Sequence, residues 1–167
     1  TVEALFEELD EAVKVKAPQL VIVDSLDALS DRAETERAID EGSYGTGKAR
    51  KMSELFRRLA AKMERANLTL MIISQIRDKI GMVFGRKVQR TGGHAMDLYA
   101  SQVVYLQQVG TLTRTIDKVK RPIALEIVAK LDKNKVGPPL REVKFKLDFG
   151  YGIDDLVTCM MWLKEVD

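Results

Sequence analysis

Cysteine is nearly absent from this chain. Cys159 stands alone, which excludes an internal disulfide and a cysteine-rich metal site. Its solitude suits a reducing cytosol, and a cytoplasmic location is the expectation. His94 is the only histidine. With no partner residues for a metal site, it reads as a loop hydrogen-bonder rather than a catalyst or pH switch. Long apolar runs are also missing, so no segment is expected to span a bilayer and no membrane partner follows. Charge of one sign does not dominate: the net charge of +2 is too small to argue for nucleic acid, so distribution must carry that argument. Internal repeats and low-complexity segments are lacking too. The opening Thr1-Val-Glu-Ala lies inside a helical pattern, which reads as a fragment; the lack of a targeting signal therefore carries no weight.

What is present fits one domain with a real core: 167 residues, 46% hydrophobic and 31% charged. Leu5, Leu9, Ala12 and Val13 share a helical face over residues 1–16, with Thr1 as cap and Pro18 as stop. Leu20-Val-Ile-Val-Asp24 is a short apolar run that predicts a strand buried on both faces, as in a parallel sheet. Residues 31–47 are polar and glycine-rich and read as a loop or frayed helix. Met52, Leu55, Phe56, Leu59 and Met63 make the stripe of a helix over 48–66, and Leu68–Gln75 is the next buried strand. Strand, helix, strand predicts a crossover in an α/β sheet. Residues 77–93 lose periodicity and read as a long functional loop. Strands follow over 102–109, 123–131 and 143–149, the last two as antiparallel neighbours, and a terminal helix over 153–165.

Two polar residues end the buried strands. Asp24, followed by Ser25, stands where a carboxylate holds the water shell of Mg²⁺ beside phosphates, although aspartate also starts ordinary turns. Gln75 ends the second strand, where an amide can orient water or sense a γ-phosphate. Gly42-Ser-Tyr-Gly-Thr-Gly-Lys48-Ala49 spells most of a phosphate loop but reads as an imitation. Its last position lacks a hydroxyl, no strand precedes it, and it follows the aspartate strand instead of preceding it. A glycine-rich helix start with lysine still suits another phosphate, including one from DNA.

An ordered set of segments resembles bacterial RecA recombinases. Leu20–Leu29 resembles the Walker B strand, and Ser74–Gly85 the glutamine switch with the start of the second DNA-binding loop. Thr91–Ser101 resembles the end of that loop and the helix after it. Lys133-Asn-Lys-Val-Gly-Pro-Pro139 resembles the lysine pair that reaches a neighbouring subunit's ATP, and Phe149–Ile153 the close of the core. The match runs over about residues 1–155, in family order. It implies the C-terminal part of a RecA-like P-loop NTPase core over 1–155: a mostly parallel central sheet, an antiparallel strand pair near the C-terminus, and helices on both faces. Residues 156–167 would be a terminal helix or the start of a linker.

By position, the resemblance implies that Asp24 binds Mg²⁺ through water, with Ser25 beside it. Gln75 senses the γ-phosphate, Lys133 and Lys135 act in trans on ATP, and Pro139 lies near the base. DNA contacts fall on Gly45 of the first loop, on Arg50, Ser53 and Arg57 of one helix, and on Arg77, Lys79, Ile80, Phe84, Thr91, Gly92 and Gly93 of the second loop. The residues agree with this. From 77 to 93 the loop carries Arg77, Lys79, Arg86, Lys87 and Arg90 against Asp78 alone. Cations neutralise phosphates, and Ile80, Met82, Val83 and Phe84 wedge against bases without reading them.

The implied protein is an ATP-hydrolysing recombinase of DNA repair and the DNA-damage (SOS) response. It forms homo-oligomeric filaments on single-stranded DNA and exchanges strands with double-stranded DNA. The alternative is an ATPase-deficient paralogue that binds DNA or regulates a recombinase. The family's phosphate loop and catalytic glutamate precede the helix that opens this chain, so the chain alone is expected not to hydrolyse ATP. Gln107 and Gln108 replace a basic pair for the second DNA strand, for which Lys118, Lys120, Arg121 and Lys130 are substitutes, and His94 replaces an asparagine.

Overall fold

The structure, a computed structural model, describes residues 1–36, 47–78, 88–90 and 93–166. These fall into two compact units, Thr1–Tyr99 and Ala100–Asp167.

The first unit opens with α1 (Val2–Ala12). The Ala4 N–H donates to Thr1 Oγ1 at 3.3 Å, the expected N-cap. The helix ends at Val13, well before Pro18. The next elements are β1 (Gln19–Val23), a 3₁₀ turn (Leu26–Ala28), α2 (Arg32–Glu36) and α3 (Gly47–Arg65). Met52, Leu55, Phe56 and Leu59 of α3 are buried, as their spacing predicts, and pack with Val2, Leu9, Leu26, Leu68, Ala95 and Met96. Burying each large side chain of this set is worth about 1.5–3 kcal/mol. Asn67 ends α3 in the left-handed region at φ 54°, which asparagine tolerates better than most side chains. Its carbonyl accepts from the Gln19 N–H at 3.2 Å, aligning the starts of β1 and β2 (Leu68–Ile72). These strands pair in parallel, Gln19 opposite Leu68 through Val23 opposite Ile72.

The mostly parallel central sheet is not what forms. Among the described residues β1–β2 is the one parallel pairing, and every other pairing is antiparallel. Nor is β1 buried on both faces. Val21, Leu70 and Ile72 pack against the helical core, but Leu20 and Ile22 are each 55% exposed and Met71 is 50% exposed. An apolar run without polar alternation records a strand's capacity for two covered faces; among the described residues only the helical side is covered. The expected loop over 77–93 also carries structure: β3 (Ile76–Asp78) pairs antiparallel with β4 (Val88–Arg90), and α4 (Gly93–Tyr99) follows. The Tyr99 ring stacks on Phe56 with centroids 5.5 Å apart, joining α4 to the core.

The second unit is a four-stranded antiparallel sheet in the order β5 (Gln102–Ile116), β6 (Val119–Asn134), β7 (Glu142–Asp148), β8 (Gly152–Ile153), followed by α5 (Asp155–Val166). The expected β6–β7 antiparallel pair is present. The β5–β6 hairpin is far longer than periodicity suggests. Its strands join through Asp117 and Lys118, both with positive φ (52° and 65°), between the paired residues Ile116 and Val119. That is the backbone of a two-residue hairpin turn matching strand twist. Pro122, which ordinarily argues against an internal strand, lies where the register shifts and outside the stretch of β6 paired with β7. Ala124 and Val128 are the buried positions of β6, while Ile123, Leu125 and Ile127 on its other face are half-buried.

Glu3 ties three helices together. Its Oε2 accepts from the Arg32 N–H at 3.2 Å, and its Oε1 lies 3.1 Å from Lys51 Nζ. Burial pushes its pKa up, but hydrogen bonds from its own N–H, from Lys51 and from the Arg32 N–H outweigh that and hold it at about 2.

Replacing Asp117-Lys118 by Asn-Gly should stabilise the fold by about 1 kcal/mol, read as a higher urea midpoint, because glycine enters the left-handed region without the side-chain penalty. An unchanged midpoint would contradict the turn's geometry. The Glu3 carboxyl protonates more easily unfolded than folded, so its contribution is full above the ordinary glutamate value of 4.5 and is lost as pH falls toward about 2. Glu3→Gln should flatten that acid limb of the stability curve, by on the order of 1–3 kcal/mol at neutral pH, measured by denaturant melts between pH 2 and 6.

Candidate functional site

Asp24 is the residue immediately after β1, and its side chain is exposed. The ladder continues beyond the two strands: the Ile73 N–H donates to the Val23 carbonyl at 2.9 Å, and the Leu26 N–H to the Ile73 carbonyl at 2.8 Å. These bonds fold the turn 24–27 across the end of β2. Asp24, half-buried Ser25 and exposed Gln75 therefore share the carboxyl-terminal edge of the parallel pair, where α/β sheets bind ligands. The peptide bond between Asp24 and Ser25 is cis. Asp24 has no hydrogen bond or ion pair among the described residues, and no cluster of three ligating side chains gathers there. A lone exposed carboxylate fits Mg²⁺, which keeps most of its water and leans on phosphate oxygens.

Sequence reasoning missed Asp27. Its carboxylate is only 7% exposed. Oδ2 accepts the Gln75 N–H at 2.7 Å, and Oδ1 lies 3.9 Å from Arg77 Nη2. The available signal was spacing: Asp24 directly follows a strand, and Asp27 lies three residues on, within the 3₁₀ turn.

Of the stretch Gly42–Ala49, the described residues 47–49 do not form a phosphate cradle. Gly47 begins α3, and a Cβ there would fall on the Asp31 carboxylate. Asp31 is buried and accepts the Glu34 N–H at 2.8 Å. Lys48 donates its ammonium protons to the Leu26 carbonyl. A phosphate cradle needs a helix N-terminus open to an anion; this one faces the chain's own carboxylate, and its lysine is tied to backbone.

On α3, Arg50 and Arg57 are exposed and make no ion pair among the described residues. Ser53 lies between them at helical spacing and donates its hydroxyl to the Ala49 carbonyl at 2.9 Å. Arg77 is 67% exposed. Gly93 opens α4. Gly45, Lys79, Ile80, Phe84, Thr91 and Gly92 lie outside the described residues.

In the second unit, Lys133 is half-buried near the end of β6, and Lys135 and Pro139 are exposed just beyond it. Asn134, between the lysines, builds this corner. Its Oδ1 accepts from the Val136 N–H and from Gln102 Nε2, each at 3.2 Å, and its Nδ2 donates to the Pro138 carbonyl at 3.3 Å. The Lys135 N–H donates to the Ser101 carbonyl at 2.9 Å. Gln107 and Gln108 are exposed on β5. An open groove of about 740 Å³ lies elsewhere in the first unit, at the amino-terminal ends of β1 and β2 beside Lys14, Lys16 and Arg65.

A parallel strand pair flanked by helices, with a carboxylate and an amide at its carboxyl edge, makes the first unit an α/β unit. Residues 1–154 match the family described as RecA N-terminal domain. Protein RecA of Caulobacter sp. (strain K31) is 36% identical over 154 residues, covering 92% of this chain and 42% of its own length. Protein RecA of Francisella philomiragia is 37% identical over 153 residues (92% and 41%), and that of Prochlorococcus marinus (strain MIT 9211) 34% over 165 residues (99% and 43%). The chain belongs to the RecA family. It spans about two fifths of the length of the curated relatives it matches. Among the described residues no helix is long and apolar enough to cross a membrane.

Gly47→Ala should lower stability by about 1–2 kcal/mol, read as a lower urea midpoint, because its Cβ meets an anchored carboxylate; ordinary helix propensity predicts a gain. A stabilised variant would sink the close-approach account.

Proposed function

We propose that the protein carrying this chain is a DNA-dependent ATPase of recombination and repair. It assembles as a filament on single-stranded DNA and exchanges strands with a duplex. The observation that carries this reading is the single polar edge where Asp24, Ser25 and Gln75 meet, with Gln75 two residues before Arg77. A nucleotide-sensing amide and a DNA-contacting cation then share one short segment.

In this reading, Mg²⁺ neutralises phosphate charge when bound, and Asp24 with Ser25 orients its water shell. Gln75 aligns with the γ-phosphate. Lys133 and Lys135 of the next subunit stabilise charge on the transferring phosphoryl group, and Pro139 packs near the base. Such sharing of one nucleotide between subunits couples filament growth to nucleotide state. DNA phosphates are met by Arg50, Ser53 and Arg57 on α3, by Gly45, and by Arg77, Lys79, Thr91, Gly92 and Gly93. Ile80 and Phe84 wedge against bases. No base edge is read, so pairing between strands tests homology. For the second DNA strand, the exposed Lys118, Lys120 and Arg121 of the β5–β6 hairpin stand in for the basic pair that Gln107 and Gln108 replace, and Arg114 opposite Arg121 adds to them. Domain bounds follow the same reading: 1–155 within the ATPase core, and 156–167 leading out of it.

Arg77→Ala and Phe84→Ala should each weaken single-stranded DNA binding by the full-length gene product. The arginine change should also lower the salt slope by about 0.7 per lost phosphate contact. Binding and slope equal to wild type would end the loop assignment. Lys133→Ala and Lys135→Ala should cut DNA-stimulated ATP turnover about a hundredfold and spare DNA-free nucleotide binding. Turnover that survives both removes the trans role. A wild-type protein that binds DNA yet never turns over ATP would instead be a recombinase regulator.

A further inference from the structure

Asp27 has no part in the roles assigned above, yet it is the best-connected carboxylate near the strand ends. A carboxylate with its side chain 7% exposed is costly to desolvate and persists only where donors compensate it. One donor and one cation that compensate it come from a single segment. The Gln75 N–H reaches Oδ2 at 2.7 Å, a length expected of a charge-assisted bond, and Arg77 Nη2 stands 3.9 Å from Oδ1. The frame beneath is rigid: Ile73 is bonded at its N–H to Val23 and at its carbonyl to Leu26. Between frame and donors, the Ser74 hydroxyl is buried with no partner among the described residues. An orphaned hydroxyl marks a segment that is not at its hydrogen-bonding optimum.

We propose that Asp27 is a positioning residue: it holds the Gln75 backbone and the Arg77 guanidinium in one arrangement, and a nucleic-acid phosphate competes with it for Arg77. The proposal rests on the function set out above and adds the device that links its two ligands. Arg77 is 67% exposed, so its other N–H groups stay in water while one faces Asp27. It can pass from carboxylate to phosphate without a desolvated intermediate. When it leaves, Asp27 retains the Gln75 N–H with less compensation for its charge, and the two events become energetically linked. A nucleotide that moves Gln75 therefore changes how firmly Arg77 is held, and DNA that takes Arg77 changes how firmly Gln75 is held.

The test titrates a fluorescent oligothymidylate with the full-length gene product, with and without a non-hydrolysable ATP analogue. Wild type, Asp27→Asn, Arg77→Gln and the double variant are compared. Asparagine keeps a carbonyl acceptor for the Gln75 N–H and removes the charge. The expected result for Asp27→Asn is nucleotide-free binding tightened roughly two- to fivefold, the span of one partly exposed ion pair. The enhancement by the analogue should shrink by the same factor. Both effects should vanish in the Arg77→Gln background. An effect of equal size in both backgrounds, or the same gain with and without analogue, would overturn the proposal as a general charge effect. Hydrogen exchange gives a readout free of DNA: the Gln75 amide should exchange faster in Asp27→Ala than in Asp27→Asn, and equal rates overturn the positioning role. A wild type that binds no DNA in any nucleotide state defeats the functional reading itself, while the exchange measurement still judges Asp27.

Discussion

The hydrogen-bond ladder that begins at Gln19 and Leu68 and runs on past the strands is the constraint on which the first unit depends. Register in a parallel pair is fixed at one end and expressed at the other. The Asn67 carbonyl receiving the Gln19 N–H aligns the starts of β1 and β2. Four residue pairs later the same alignment sets Val23 beside Ile72. The ladder does not stop there, because Ile73 bonds both to Val23 and to Leu26. Those two bonds turn a pair of strand ends into a built edge, with Asp24 on its surface and Asp27 beneath. A slip of one residue would reverse which side chains face the helices and would part Gln75 from Asp27.

Helix α3 meets that edge from the other side. Its stripe of Met52, Leu55, Phe56 and Leu59 supplies four of the ten residues in the buried cluster, and its first turn is closed by Asp31 and by Lys48 on the Leu26 carbonyl. The lysine that spells a phosphate loop thus helps hold the turn that carries Asp27. Glycine and lysine at this spacing answer to two different physical demands, anion binding and close approach of backbone. The order of elements separates them: a strand must come before the loop for a phosphate cradle, and the polar residues 31–36 supply a capped short helix instead.

Much of this was legible in the residues, and the failures have physical causes. Thr1 as cap, the α3 stripe, the parallel β1–β2 pair and the antiparallel β6–β7 pair all come from local chemistry and periodicity, and all are present. Burial of β1 on both faces was not, because an apolar run shows what a strand can cover rather than what covers it; Leu20 and Ile22 remain exposed. The mostly parallel sheet failed for a related reason, since strand-helix-strand order fixes one pairing and leaves the other neighbours open. The reach of β5 and β6 was hidden by polar residues on a ribbon with few neighbours and by a turn of Asp117-Lys118 in place of an asparagine-glycine pair. Asp24 and Gln75 were singled out from their positions after apolar runs, and the strand pairing brings them to one edge. Asp27 was passed over because its importance lies in two contacts from a segment some fifty residues away, at Gln75 and Arg77.

That difference bears on how the edge works. A residue that meets a ligand can often be found from chemistry and position, since ligand chemistry restricts the side chain. A residue that meets the backbone of such a residue is restricted only by geometry. Asp27 is of the second kind, and among its contacts a backbone N–H and a guanidinium come from the one short segment that faces its turn. If nucleotide and DNA act on the same protein as proposed, their influence on each other needs no long path. The distance from Gln75 to Arg77 is two residues of chain, and the carboxylate that faces both belongs to the turn that follows β1 and Asp24. Coupling between sites requires an element with two arrangements that both ligands bias. An exposed guanidinium shared between a fixed carboxylate and a mobile phosphate is among the smallest elements able to meet that requirement.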